Sequence, residues 1–184
     1  IAHAQQEMTQ LAEKTCIPVI TTIMGKGALP TNHPLYVGNL GIHGSYAANT
    51  AISECDVLFS IGVRFNDRIT GKVSEFAKKA TIIHVDIDPA SISRNIVVDI
   101  PIVADAKNAI AALLEKAPKY DFADWKKQID SWKAEHPIYS IDGAKSKVTP
   151  YSIIQEINRV FEDAVITTDV GQNQLWTTQF LELT

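Results

Sequence analysis

The apolar positions of this chain keep two rhythms that alternate along its length. Residues Ala2 to Lys14 place Ala4, Met8, Leu11 and Ala12 at helical spacing, and Cys16 to Thr22 follow as a β-rich run with Pro18 near its start. An alanine-rich helix is predicted over Tyr46 to Glu54 with Ser45 as its N-cap, and Val57 to Ile61 is a short apolar run of the kind that fills a buried strand. Ser74 to Lys79 reads as a short helical turn. Thr81 to Pro89 reads as a strand apolar on both faces, as a central parallel strand should be, and Ile100 to Val103 as an edge-like one. Asp105 then caps an amphipathic helix that carries Ala106, Ala109, Ile110, Leu113, Leu114 and Ala117 on one face. Strands alternating with helices predict an α/β fold built on a parallel sheet.

The rhythm changes after Ala117. Phe122, Trp125, Ile129 and Trp132 form a narrow apolar stripe on a highly charged helix, which gives way to Gly143-Ala144-Lys145-Ser146-Lys147, so 118–147 reads as a linker with one helix lying on a domain surface. Thr149-Pro150 occupies the preferred N-cap and N1 positions of a new helix with Ile153, Ile154, Ile157, Val160 and Phe161 inward. A strand over Ala164 to Thr168 and a further helix after Gly171 complete the expected start of a second α/β domain. The division is therefore 1–117, 118–147 and 148–184. Both ends look cut: the first residues already read as helix, with no strand before them, and Leu181-Glu182-Leu183-Thr184 carries no helix cap.

Composition narrows the functions. With 184 residues, 46% hydrophobic and 21% charged, the chain is long enough to bury a real core, and its net charge of −4 offers no basic field to nucleic acid or anionic lipid. No nucleic-acid or membrane partner is expected. No apolar run approaches the roughly 20 residues that span a bilayer, and no signal-peptide pattern opens the chain, so a cytoplasmic location is expected, or an organellar one in a eukaryote. Cys16 and Cys55 have neither metal nor redox spacing and read as buried thiols. There is no Walker lysine motif, no nucleophile elbow and no cluster with metal-ligand spacing. His3, His33, His84 and His136 fall on separate elements and read as structural; His43, between glycines, is the exception.

The candidate chemistry sits in the loops. Val57 to Ile61 breaks at Gly62 into a loop with Arg64, Asp67 and Arg68. In an open parallel sheet the crevice beyond the carboxyl ends of the strands binds ligands, so a cationic loop there suggests an anionic partner. Gly25 and Gly27 let the backbone approach a ligand or simply turn, and taken alone the turn is favoured. Gly38 to Ser45 is a second glycine-rich loop whose amides suit an anion or a flavin edge. The acids that end the strand at Asp86 and Asp88 suit ribose hydroxyls, although an isolated Asp more often caps or turns. Asp169-Val170-Gly171-Gln172-Asn173 turns into a helix first turn, a common cradle for phosphate.

In this order, five segments resemble the large catalytic subunit of acetolactate synthase (acetohydroxyacid synthase), a thiamine-diphosphate enzyme. They are Thr22-Ile23-Met24-Gly25-Lys26-Gly27, Gly41-Ile42-His43-Gly44, Gly62-Val63-Arg64-Phe65-Asn66-Asp67-Arg68, Ile83-His84-Val85-Asp86-Ile87-Asp88, and Asp169-Val170-Gly171-Gln172-Asn173-Gln174-Leu175-Trp176. Each is modest alone, and five in sequence are specific. The similarity covers nearly the whole chain. It implies a Rossmann-like central domain that holds FAD, with helices on both faces of its sheet, followed by the linker and the truncated opening of a thiamine-diphosphate domain.

The resemblance further implies residue roles. Thr22, Ile23, Met24 and Gly25, with Gly41, Ile42, His43 and Gly44, would line the flavin; Gly62, Val63, Arg64 and Asn66 would approach its sugar-phosphate chain. Asp86, Ile87, Asp105 and Ala106 would meet the ribose and adenine side. Asp67 and Arg68 resemble the pair at the mouth of the family's substrate channel, and Val170, Gly171, Gln172 and Asn173 would contact the diphosphate of thiamine diphosphate. Two positions depart from the family pattern: Asn66 and Asn173 stand where Asp and His are frequent, and both can still make the hydrogen bonds required.

The family's activity is decarboxylation of pyruvate and joining of the hydroxyethyl unit to a second 2-keto acid such as 2-ketobutyrate, in branched-chain amino-acid biosynthesis. Its cofactors are FAD, thiamine diphosphate and Mg²⁺, and its members form homo-oligomers, some with a regulatory small subunit. The activating glutamate and the magnesium motif of the family have no counterpart in these residues. Neither catalytic residues nor metal ligands are assigned here, and the isolated piece is expected to be inactive and to hold FAD weakly if at all. The alternatives are another thiamine-diphosphate enzyme, namely pyruvate oxidase, oxalyl-CoA decarboxylase or glyoxylate carboligase, or a stand-alone nucleotide-binding regulatory module.

Overall fold

The computed structural model describes residues 2–139, 148–161 and 164–183. The Gly143 to Lys147 part of the expected linker lies outside the described residues. The chain runs α1 (Gln5–Thr15), β1 (Val19–Thr21), β2 (Tyr36–Asn39), α2 (Tyr46–Glu54), β3 (Val57–Ile61), α3 (Asp67–Thr70), β4 (Thr81–Asp86), β5 (Ile100–Val103), α4 (Ala106–Lys116), α5 (Ala123–Glu135), α6 (Pro150–Val160) and α7 (Gln172–Phe180). Three single 3₁₀ turns lie at Ile23–Gly25, Val73–Glu75 and Pro89–Ser91. The α/β architecture is as expected, and every strand pairing is parallel.

The strands form two ladders, β1-β2 and β3-β4-β5. In the larger one β4 is central, with Phe59 opposite Ile83 and Ile83 opposite Ile100, which matches its two-faced apolar sequence. β5 is the edge, as its pattern suggests. The strand β2 is not visible in the sequence pattern, because Gly38 and Asn39 read as loop chemistry. It forms because Tyr36 to Asn39 finds β1 as a ladder partner and Val37 finds a core.

Apolar side chains gather in three clusters. Val37 packs with Ala47, Ala48 and Ala51 of α2 and Ile129 of α5, so the linker helix seats its stripe, Trp125 and Trp132 included, on α2. Ile82 of β4 joins Ile52 of α2, Phe65, Ala77 and Ile96. Ala12 of α1 meets Val19 and Leu29. α1 and α4 pack together, fastened by Lys14 Nζ on the Leu114 carbonyl and by the Lys107–Glu7 ion pair. Alanines at 47, 48 and 51 let α2 approach closely.

Two local expectations fail. Residues 164–168 form no strand: with no neighbouring strand to complete a ladder, the run stays irregular and Val165 is 93% exposed. Cys16 is not buried, since it caps the carboxyl end of α1 in the left-handed region (φ 56°) with its side chain exposed. Cys55 is half-buried, and burial first, with the Asp56 carboxylate second, pushes its thiol up to about 11. Thr149 and Pro150 take the N-cap and N1 positions as read, and Ser152 closes a capping box on Thr149.

Candidate functional site

Each of the five strands is followed at its carboxyl end by one of the segments singled out in the sequence. Thr22 to Gly25 follow β1, where the Thr22 hydroxyl accepts from the Gly25 amide at 3.2 Å and starts a 3₁₀ turn. Gly41 to Gly44 follow β2, Gly62 to Arg64 follow β3, Asp86 ends β4 with Ile87 next, and Asp105 and Ala106 follow β5. In each of the two parallel ladders this is the end beyond the strand carboxyl termini where open parallel sheets bind ligands.

Backbone contacts lock the loops together. The Ile42 amide donates to the Arg68 carbonyl at 3.0 Å, so the second glycine loop and α3 share a boundary. Gly41 has φ 108°, and a Cβ there would stand 2.5 Å from the Arg68 oxygen; only glycine admits that approach. Asn49 of α2 closes the loop from behind, accepting from the Gly41 amide and donating to its carbonyl, both at 3.0 Å. The Gly62 amide donates to Val85 at 2.8 Å, pinning the β3 turn to β4, and the Ala104 amide donates to Asp86 at 3.1 Å, pinning β5 to the same strand end.

The side chains divide by exposure. Met24, Ile42 and Ile87 are large apolar residues open to solvent, at 85, 68 and 70% exposure, each beside a strand end. Space around Gly62 is open: a Cβ would touch nothing within 4 Å, although φ is 65°. Arg64, Asn66, Asp67 and Arg68 are exposed, and among the described residues neither Arg64 nor Arg68 has an ion-pair partner. Asn66 caps α3 through its carbonyl, which accepts from Ile69 and Thr70 at 2.9 Å. Asp86 is buried, and its Oδ1 accepts from the Asp88 amide at 2.9 Å. Asp105 gives Oδ1 to the Lys107 and Asn108 amides as an N-cap. His43 is exposed, and its carbonyl accepts from Gln179 Nε2 at 3.0 Å.

The expected diphosphate turn stands apart from these loops. Val170, Gly171, Gln172 and Asn173 are all exposed, and the Asn173 amide group donates to Asp169. It is the other end of α7 that touches the segments after β1 and the end of β2: Lys26 Nζ and Asn39 Nδ2 both donate to the Thr178 carbonyl, at 2.6 and 2.7 Å, and Thr31 exchanges backbone and hydroxyl bonds with Leu183. The turn lies about 10 Å further along the helix axis.

Residues 1–113 match the central domain of thiamine pyrophosphate enzymes. The chain belongs to this family. The probable acetolactate synthase large subunit of Methanocaldococcus jannaschii is 44% identical over 191 aligned residues, which cover 99% of this chain and 32% of that protein. The acetolactate synthase large subunit of Cyanidium caldarium is 43% identical over 190, covering 100% and 32%. The isozyme 3 large subunit of Escherichia coli K12 is 37% identical over 183, covering 95% and 32%. The chain thus spans about a third of the length of these curated relatives.

Three residues of this central domain escaped the sequence reading of the site: Lys26, Asn39 and His84. Lys26 had a signal, since a cation between two glycines sits on a tight loop. Burial pushes its ammonium down to about 8 against the pull of Glu182. Asn39 had none, because an Asn after Gly reads as a turn; it is buried and accepts from Thr21 Oγ1 at 2.8 Å. His84 lies wholly inside the fold. Among the described residues no group of three or more His, Cys, Asp or Glu is arranged to hold a metal, and no helix is long and apolar enough to cross a membrane.

Proposed function

We propose that this chain is the flavin-holding part of an acetolactate synthase large subunit, together with the first residues that meet thiamine diphosphate. The observation that carries the reading is the coincidence of the five segments assigned to flavin with the carboxyl ends of the five strands among the described residues. Their chemistry suits FAD. Open space at Gly62 fits a close backbone approach by a diphosphate, with the unpaired Arg64 guanidinium as a phosphate fork. Exposed Met24, Ile42 and Ile87 supply apolar cover for the ring systems, and Asp86 and Asp105 supply acceptors for ribose and adenine.

In this reading Arg68, beside Asp67 on α3 and tied through its carbonyl to the flavin-side loop, steers the carboxylate of a 2-keto acid such as pyruvate toward the reaction centre. Val170 to Asn173 offer amides and polar side chains to the diphosphate at the start of α7. Bound thiamine diphosphate, held through Mg²⁺, supplies the electron sink for decarboxylation and carboligation. FAD is structural, since carboligation has no net redox change. In this reading the parent protein assembles with like chains and with a smaller regulatory partner; the relatives' name, large subunit, speaks for a smaller companion in those proteins.

The full-length protein containing this chain, assayed with pyruvate, thiamine diphosphate, Mg²⁺ and FAD, is expected to make acetolactate and carry flavin absorbance. Hydrogen peroxide or acetyl phosphate as product would point to an oxidase instead. In the same assay Arg68→Ala should lower kcat/KM for pyruvate by about tenfold or more, the worth of a charged hydrogen bond, while the flavin stays bound. Equal loss of both would sink this division of roles.

A further inference from the structure

His84 sits in the middle of β4, opposite Ser60 of β3 and Pro101 of β5. Its side chain is 0% exposed, and both ring nitrogens lack a hydrogen-bond partner. Among the described residues it is the one ring buried in this unsatisfied state. An apolar side chain of similar volume, such as Leu, would fill the same space with no orphaned polar atoms, so stability alone gives no reason for an imidazole.

The surroundings supply a reason. The ring stands edge-on to Phe65, centroids 5.1 Å apart, beneath the loop that carries Gly62 to Arg64. Its Nε2 is 3.8 Å from Asp86 Oδ2, and the Val63 backbone is its other polar neighbour, the weakest influence on the ring and short of full hydrogen-bond geometry. The nearest hydroxyl is already committed, since Ser60 Oγ donates to the Ile83 carbonyl at 3.1 Å. Asp86 Oδ1 is held by the Asp88 amide, which leaves Oδ2 as the oxygen that faces the imidazole. Burial holds the His84 pKa below its ordinary value despite the nearby carboxylate, so the ring is neutral at physiological pH and carries one N–H to give.

We infer that His84 is a positioning residue for the dinucleotide, closing Nε2–H on Asp86 Oδ2 as the cofactor seats and thereby fixing the acid that receives its ribose side, while the ring props the Gly62–Arg64 turn. The inference rests on the flavin reading above. The gap to a normal N–H···O bond is under about 1 Å, a carboxylate rotation rather than a backbone movement. One imidazole would then join the two segments that approach opposite parts of the same ligand.

The test uses the full-length enzyme stripped of flavin and titrated with FAD, following flavin fluorescence, beside the thermal midpoint of the apoenzyme. His84→Phe is expected to weaken FAD binding by about tenfold or more, with a midpoint at or moderately below the wild type because the larger ring overpacks a fully buried site. His84→Gln, which keeps an N–H donor, should recover most of the affinity. Asp86→Asn should cost much less in the His84→Phe background than in the wild type. Wild-type affinity in His84→Phe, equal weakening by Phe and Gln, or strictly additive losses with Asp86→Asn would each overturn the assignment. Should His84→Phe fail to fold, a cycle of His84→Leu, which removes both ring nitrogens, with Asp86→Asn decides in its place by the same additivity criterion. A wild-type apoenzyme that takes up no FAD overturns the flavin reading itself, whatever the variants do.

Discussion

The three-stranded ladder and the terminal segment from Val148 onward carry similar apolar runs and meet different fates. In the first, Val57 to Ile61 and Thr81 to Asp86 pair along their whole lengths, and Ile82 and Val85 are buried. In the second, Val165 and Val170 stand 93% and 88% exposed, and Ile154 and Leu181 are the buried hydrophobics. An apolar run becomes a strand only where a second backbone completes its ladder and a helix covers its face. The difference has a direct test in urea unfolding. Ile82→Ala should lower stability by about 2–5 kcal/mol, the cost of a cavity in a packed core. Val165→Ala should stay within about 0.5 kcal/mol. Similar losses at the two positions would mean that the terminal run is packed after all.

The same contrast recurs within the ligand side of the sheet, at a smaller scale. Gly41 and Gly62 both have positive φ, yet one faces the Arg68 carbonyl and the other faces open space. Gly41→Ala must displace α3 as well as strain its own backbone, at about 1–3 kcal/mol or more, and it should loosen the loop that the Ile42 amide ties to Arg68. Gly62→Ala pays only the left-handed strain, about 1–2 kcal/mol. Its larger effect is expected on flavin affinity, because the added methyl enters the space a diphosphate would use. Calorimetric midpoints with and without FAD on the full-length protein separate the two. A Gly62→Ala protein that binds FAD normally would show that the open space is not the ligand's.

How much of this was legible depended on whether a residue's role was local. Caps and periodicities are local, so Ser45, Asp105 and Thr149 were placed correctly, as were the helices they start and the central position of β4. The order of glycine loops after apolar runs puts the segments singled out in the sequence at the strand ends. What the pattern missed was set by distant partners. β2 depends on β1, and a strand containing Gly38 and Asn39 has no alternation to reveal it. The run at 164–168 has the composition of a strand and lacks a neighbour. Asn39 and Lys26 converge on Thr178, about 140 and 150 residues away, a separation no local signal spans. His84 reads as one polar residue in an apolar strand, and only the ring's burial beside Asp86 gives it a role.

Lys26 joins the two regions, and its titration offers the finest test of how they are joined. Its Nζ donates to the Thr178 carbonyl at the end of α7, within a cleft of about 320 Å³ that Tyr36, Tyr151 and Glu182 also line. Burial sets the ammonium near 8 instead of its ordinary 10.5, and Glu182 only partly offsets this. Between those two values the unfolded chain binds more protons than the folded one, so this lysine makes stability rise with pH across the window and contributes no slope below it. Lys26→Met keeps the apolar stem and removes the charge; Asn39 still donates to Thr178. The gain in stability from about pH 7 to about pH 9.5, read from urea unfolding, should therefore be smaller in Lys26→Met than in the wild type, by up to about 2 kcal/mol and less in so far as solvent reaches the half-buried ammonium. Lys133, which burial also lowers, adds a slope of the same sign, and the raised Cys55 thiol adds one of opposite sign above about pH 9; the substitution leaves both in place, so the test is the difference between the two slopes. An unchanged pH slope would mean that the Lys26 ammonium is hydrated and that the end of α7 is held to the strand-end loops by Asn39, Gln179 and the Thr31–Leu183 bonds.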